Sequence, residues 1–245
     1  MAEISAGADR APPGVQRVRA PNPSPLTLDG TNTYVTRGWV VDPGPNDDRH
    51  RRGVLEAARG RIEGIVLTHG HPDHTEGAPA LAALSGAPVV TPGGGEVVGP
   101  FEVVATPGHS PDSVCLVAAG VCFTGDTVLG AGSVFIAPGE GALAAYLHSL
   151  RTLRRLDLEA LCPGHGPFVH DPRARIDEQL EHRLDRERRL VAALHAGAGT
   201  HDEMLDAGWS EVPPELRPAA RITLEAHLEK LRAEGRLPDG LDLGD

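Results

Sequence analysis

Apolar positions along the chain fall mostly into short runs closed by Gly, Pro or Asp. Tyr34-Val35 and Trp39-Val40-Val41 flank Arg37-Gly38, which is a hairpin signal, and Asp42-Pro43-Gly44-Pro45 closes that hairpin with turn chemistry. Val54, Leu55, Ala57 and Ala58 predict a helix ending near Gly60, and residues 62–68 read as a buried strand. Residues 78–84 read as a helix stopped at Ser85-Gly86. Strands are expected at 88–91, 101–105 and 114–117, the last turning through Ala119-Gly120 into 121–124. A helix over 142–155 carries Leu143, Leu147, Leu150 and Leu153 on one face, and 158–162 is a further strand. Strands alternating with helices predict a layered α/β body with its helices outside.

From about Arg173 the pattern changes to long, charged, helical sequence. Ile176, Leu180, Leu184, Val191 and Leu194 form an apolar stripe on a helix that stops before Gly197. Thr200-His201-Asp202-Glu203 is a capping box opening a second helix. Pro213-Pro214 starts a third, which Pro218 separates from a fourth bearing Leu224, Leu228 and Leu231. Leu237-Pro238-Asp239-Gly240-Leu241 then makes a tight turn between two stubs. Several helices followed by a small hairpin are the outline of a winged helix. The resulting division is a flexible lead-in over 1–20, a catalytic body over 21–172 and a winged-helix-like domain over 173–245.

Composition narrows the class. At 245 residues, with 40% apolar and 23% charged content, the chain reads as a globular protein that buries its own core. It has no apolar run of membrane-spanning length and no signal-peptide core near its start, so a cytoplasmic location is expected. Cys115, Cys122 and Cys162 lie in or beside apolar strands without CxxC spacing and read as reduced core thiols. A net charge of −11 argues against a general nucleic-acid coat. The fourth C-terminal helix sets Glu225, Glu229 and Glu234 against Arg221, Lys230 and Arg232, a poor groove-facing helix. DNA binding by this domain is therefore not expected, and a packing or homodimer-forming role is.

The chemistry concentrates in Thr68-His69-Gly70-His71-Pro72-Asp73-His74, directly after an apolar strand. Three imidazoles and a carboxylate within six residues make a metal-site composition. Three further strands end in Gly plus one metal-competent side chain: Pro107-Gly108-His109, Thr124-Gly125-Asp126 and Pro163-Gly164-His165. His69, His71 and His109 could hold one ion and Asp73, His74 and His165 a second, with Asp126 bridging them. Neither ion would be closed by protein alone, which leaves room for a bridging hydroxide acidified by the metals. The expected cofactor is a pair of zinc ions, with manganese or iron as alternatives, and the expected chemistry is hydrolysis.

This pattern resembles the metallo-β-lactamase superfamily, whose signature is a His-x-His-x-Asp-His loop followed by a His, a bridging Asp and a last His. The resemblance implies a four-layer αββα sandwich with the site at one edge, and the ligand roles just assigned. A narrower resemblance, to the β-lactamase-like endoribonuclease subgroup, is carried by four segments. They are residues 22–34, Thr124-Gly125-Asp126-Thr127-Val128-Leu129-Gly130, Pro163-Gly164-His165-Gly166-Pro167, and His182-Arg183 with Arg186-Glu187. That subgroup ends in a winged helix, and relatives act as polyketide thioesterases. Common β-lactamases place Cys where Asp126 stands, so antibiotic hydrolysis is not expected. Single-stranded RNA is the first expected substrate and a thioester or other small acyl substrate the alternative. In either case Asp73 and Asp126 would orient the nucleophile, and the resemblance suggests Asn32, Tyr34 and Ser110 as substrate contacts.

Overall fold

A computed structural model describes residues 9–237. Its first sheet joins β1 (Val15–Arg19), β2 (Asn32–Thr36), β3 (Trp39–Val41), β4 (Gly64–Val66) and β5 (Val89–Val90) in that order. Its second runs β10 (Ala160–Pro163), β9 (Val121–Gly125), β8 (Val114–Ala118), β7 (Phe101–Ala105) and β6 (Val97–Val98). Helices α1 (Asp48–Ala57) and α3 (Ala78–Ser85) cover the first sheet. Helices α4 (Ala142–Leu153) and α5 (Pro172–His195) cover the second.

The period of two in the strands sorts side chains into three cores. Tyr34, Val41, Val66, Leu116, Phe123 and Cys162 meet between the sheets. Their neighbours Val35, Val40 and Ile65 face α1 and α3 instead. Cys115, Cys122 and Leu161 face Leu143, Leu147 and Leu150 of α4. The layers are therefore α, β, β, α, as the sequence suggested. All three cysteines are buried and unpaired, in agreement with their reading as core thiols.

A fourth core lies in the C-terminal region, where α5 packs with α6 (His201–Gly208) and α7 (Arg217–Ala233) through Leu190, Leu194, Met204, Leu205, Leu224 and Leu228. Yet α5 also lends Ile176, and α7 lends Ala226, to the core under the second sheet. Glu229 of α7 accepts hydrogen bonds from the Gly139 and Gly141 amides just before α4. The C-terminal helices are thus fused to the catalytic body rather than tethered to it. No helix among the described residues is long and apolar enough to cross a membrane.

Several expectations need correction. Val15–Arg19, assigned to a flexible lead-in, pairs antiparallel with β2, since its register partners run from Thr36 to Asn32. The third helix expected from Pro213-Pro214 is only a 3-10 turn, Pro214–Leu216, and Pro218 sits in the first turn of the α7 that follows it, where its missing N–H is harmless. On α5 the buried face includes Arg183, Arg186 and Glu187, while Leu184 is only half-buried, so apolar periodicity misplaced part of that face. The expected turn at 237–241 lies outside the described residues apart from Leu237.

The buried leucine stripe of α4 carries a stability prediction. Leu150 is fully buried between α4 and the second sheet. Leu150→Ala should lower the unfolding free energy by about 2–5 kcal/mol, read from the shift in a urea unfolding midpoint.

Candidate metal centre

Every ligand predicted from sequence arrives at one edge of the sandwich. The loop after β4 continues into the short α2 (Pro72–Thr75) and brings His69, His71, Asp73 and His74. His109 follows β7, Asp126 follows β9 and His165 follows β10. Donor atoms of His69, His71, His109 and Asp126 lie within 4.8 Å of one another, and so do those of Asp73, His74 and His165. Asp126 lies between the two groups. Its Oδ1 is 3.4 Å from His74 Nε2, and its Oδ2 is 3.3 Å from His165 Nε2 and 3.6 Å from His109 Nε2.

Hydrogen-bond inventory fixes which imidazole nitrogens face inward. His74 Nδ1 lies 2.9 Å from the Asp42 carboxylate and donates to it. The Thr68 hydroxyl also donates to Asp42, at 2.7 Å, so its one hydrogen is used and it can only accept from His69 Nδ1 at 3.0 Å. His109 Nδ1 donates to the Phe135 carbonyl at 3.3 Å and His165 Nδ1 faces the Gly30 carbonyl at 3.5 Å. With Nδ1 engaged in this way, each of these four rings turns its Nε2 toward the site. His109 Nε2 approaches His71 Nδ1 to 2.9 Å, and His74 Nε2 approaches His165 Nε2 to 3.3 Å. His69 Nε2 and Asp126 Oδ1 are buried with no hydrogen-bond partner.

The electrostatics agree. Burial pushes His69 down to about 4 and also lowers His109, so both rings are neutral and ligand-competent at pH 7. Burial opposes charge on His74 and His165 as well, but carboxylates win there. Asp126 and Asp42 hold His74 well above its ordinary value, and Asp126 and Asp73 raise His165 to about 9. Against the same burial, His165 and His74 draw Asp73 down to about 2, and they draw Asp126 well below the usual carboxylate range. Two anionic carboxylates and a cluster of inward-facing imidazole nitrogens fit a pair of divalent cations, which would take the place of the protons on His74 and His165.

Residues 26–95 and 91–165 match the metallo-beta-lactamase superfamily. The chain belongs to that superfamily. Residues 200–238 match the beta-lactamase associated winged helix domain. A beta-lactamase-like protein 2 homolog from Drosophila melanogaster is 29% identical, over 91% of this chain and 89% of its own length. An atrochrysone carboxyl ACP thioesterase from Aspergillus fumigatus is 30% identical, over 83% of this chain and 76% of its own length. The crystal structure of a metallo-beta-lactamase family protein from Thermus thermophilus shares the fold, with a TM-score of 0.74 and 24% identity across 91% of this chain and 94% of that one. This metallo-beta-lactamase-fold chain is accordingly a hydrolase with a candidate dimetal site.

Three residues expected to touch substrate do not line the cleft. Asn32 is fully buried and donates to the carbonyls of Pro163 and Gly166, while Tyr34 donates to Pro163 at 2.7 Å. Both pin the loop that carries His165. Ser110 is buried against Ser113, their hydroxyls 2.7 Å apart, and steadies the turn after His109. What the sequence reading missed is Asp42, treated as turn chemistry only. Its carboxylate takes the Thr68 amide, the Thr68 hydroxyl and His74 at once, so it orients ligands and has little capacity left to bind metal itself. The available signal was an Asp directly after a buried strand, where it adopts a left-handed φ of 48°.

Asp42→Ala should weaken metal binding about 10- to 100-fold, measured by competition with a chromophoric chelator. Gly164→Ala should be as damaging, because a Cβ there would stand 2.5 Å from Asp126 Oδ1 and 2.6 Å from His74 Cε1. Both variants should keep the wild-type circular dichroism spectrum.

Proposed function

We propose that this chain hydrolyses small acyl thioesters at a dinuclear zinc site, a ligand set that also suits manganese or iron. The observation that carries this reading is the cleft. A cavity of about 570 Å³ is lined by His71, Asp73, His109 and Asp126 of the ligand cluster and by Trp209, Val212 and Ala220 of the C-terminal domain. Leu26, Leu28, Leu129 and Phe135 line its flanks. Walls of this kind desolvate an acyl chain and hold its carbonyl at the ligand cluster. A phosphodiester backbone would gain little from them, and a chain of net charge −11 repels a polyanion. The likeness to a protein named as an acyl carrier protein thioesterase points the same way.

Bound at this cluster, two divalent cations supply Lewis acidity for the carbonyl and lower the pKa of the attacking water toward neutrality. The protein's own residues position that chemistry. Asp126 lies between the two ligand groups and orients the water at their junction. Asp73, whose carboxylate is 29% exposed toward the cleft and steadied by the Thr31 hydroxyl at 3.1 Å, orients the same water, which releases its proton to solvent before the substrate fills the cleft. Attack at the carbonyl carbon forms the new C–O bond. The C–S bond then breaks, and the departing thiolate takes its proton from the carboxylic acid just formed. The apolar flanks exclude bulk water during these steps. The C-terminal domain closes the acyl site in this reading, and a cytoplasmic location is part of it.

A second reading, phosphodiester hydrolysis of single-stranded RNA, keeps the same centre and draws on the whole-chain resemblance to the endoribonuclease subgroup. One comparison separates the two. The zinc-loaded protein should hydrolyse a hexanoyl thioester of N-acetylcysteamine, with turnover lost on chelation and reduced by at least about a hundredfold in Asp73→Ala. End-labelled single-stranded RNA should show no cleavage sensitive to both controls. The opposite pair of outcomes would establish the nuclease and exclude the thioesterase.

A further inference from the structure

The cleft holds a charge that the proposed reaction does not use. Arg183 of α5 is 2% exposed and lines the cavity. Its Nη2 donates to the Val134 carbonyl, and its guanidinium carbon lies 5.4 Å from the centre of the Tyr146 ring. Its Nε is buried without a partner, and among the described residues no carboxylate pairs with it. Burial accordingly depresses its pKa. The neighbouring Arg186 differs, because it reaches the Glu211 carboxylate and the Gly208 carbonyl and stacks over Trp209 at 5.1 Å.

His182 adds a second free donor. Its Nε2 lies 3.3 Å from both Nε and Nη2 of Arg186, and a guanidinium can only donate. Nε2 therefore accepts, the hydrogen sits on Nδ1, and that buried Nδ1–H has no partner. Burial and the adjoining arginines push His182 down to about 4, so it is neutral at pH 7. An unpaired buried guanidinium costs far more than it returns unless an anion completes it.

Resting on the thioesterase reading, we propose that Arg183 is a specificity residue that receives a carboxylate at the distal end of the acyl chain. One uncompensated guanidinium matches one carboxylate in charge and can meet it with a forked pair of N–H groups. A phosphate dianion would leave negative charge unmatched against apolar walls. The chemical class is therefore a thioester whose acyl chain ends in an anion, apolar in the middle and anchored at both ends. His182 Nδ1–H supplies a neutral donor at the same end.

The test compares adipyl and hexanoyl thioesters of N-acetylcysteamine, equal in chain length and different only at the distal end. The zinc-loaded wild type should prefer the adipyl compound by about 10- to 100-fold in kcat/KM, the range set by one charge-assisted contact. Arg183→Met should erase that ratio, and Arg183→Lys, which keeps charge but not the fork, should restore part of it. Calorimetry with adipate and hexanoate gives a readout independent of turnover. Adipate should bind the wild type more tightly, and Arg183→Met should remove the difference. Equal turnover of both thioesters by the wild type would overturn the inference while leaving the thioesterase intact. Adipate binding that depends on Arg183, without hydrolysis of either thioester, would sustain the anion site and sink the thioesterase. Should Arg183→Met fail to fold, the wild-type ratio, the calorimetric difference and Arg183→Lys decide the matter.

Discussion

Five imidazoles and two carboxylates are drawn together at one edge of the sandwich, with several pairs of donor atoms between 2.9 and 3.6 Å apart. Lone pairs and anionic oxygens at such distances repel unless positive charge lies among them. Much of the surrounding structure serves to hold that arrangement. Asp42 grips Thr68 and His74, Thr68 in turn orients His69, and Asn32 and Tyr34 bind the loop that presents His165. These supporting contacts come mostly from the first sheet, whereas His109, Asp126 and His165 come from the second. The centre therefore exists only where the two sheets meet, and the core between them is what keeps its halves in register.

The C-terminal helices have a comparable dual role. They form a core of their own, but α5 and α7 also seal the outer face of the second sheet. Their inner surface then becomes part of the cleft lining, with Trp209 and Ala220 among its residues. A domain packed in this manner shapes what can reach the candidate metal site. The same packing buries Arg183 and Arg186 on a helix face that a simple apolar stripe would have filled with leucine. Of the two, Arg186 has its counter-ion within the chain.

The residues of the candidate site could be picked out from sequence because strand-end loops carry their chemistry locally: His69 through His74 fall within six residues, and His109, Asp126 and His165 each follow a strand and a glycine. The strands were legible for a related reason, since a short apolar run closed by turn residues marks a strand buried on both faces. Edge strands were harder. Val15–Arg19 has two arginines among five residues and gains its conformation only from pairing with β2.

Residue type and short-range periodicity are enough to specify the ligands, the α/β layering and the helical C-terminal region, and all three could be read before any coordinates. Long-range packing was needed to show that Asp42 orients ligands, that Asn32 and Tyr34 hold a loop rather than a substrate, and that Arg183 faces a cavity. Asn32 lies 131 residues from the carbonyl of Pro163 that it binds, and Arg183 lies 49 from that of Val134. No local pattern encodes a partner at that separation. Whether a buried polar side chain serves structure or substrate depends on whether the fold brings it a partner, and for Arg183 the fold supplies a carbonyl, a ring and a cavity in place of a carboxylate.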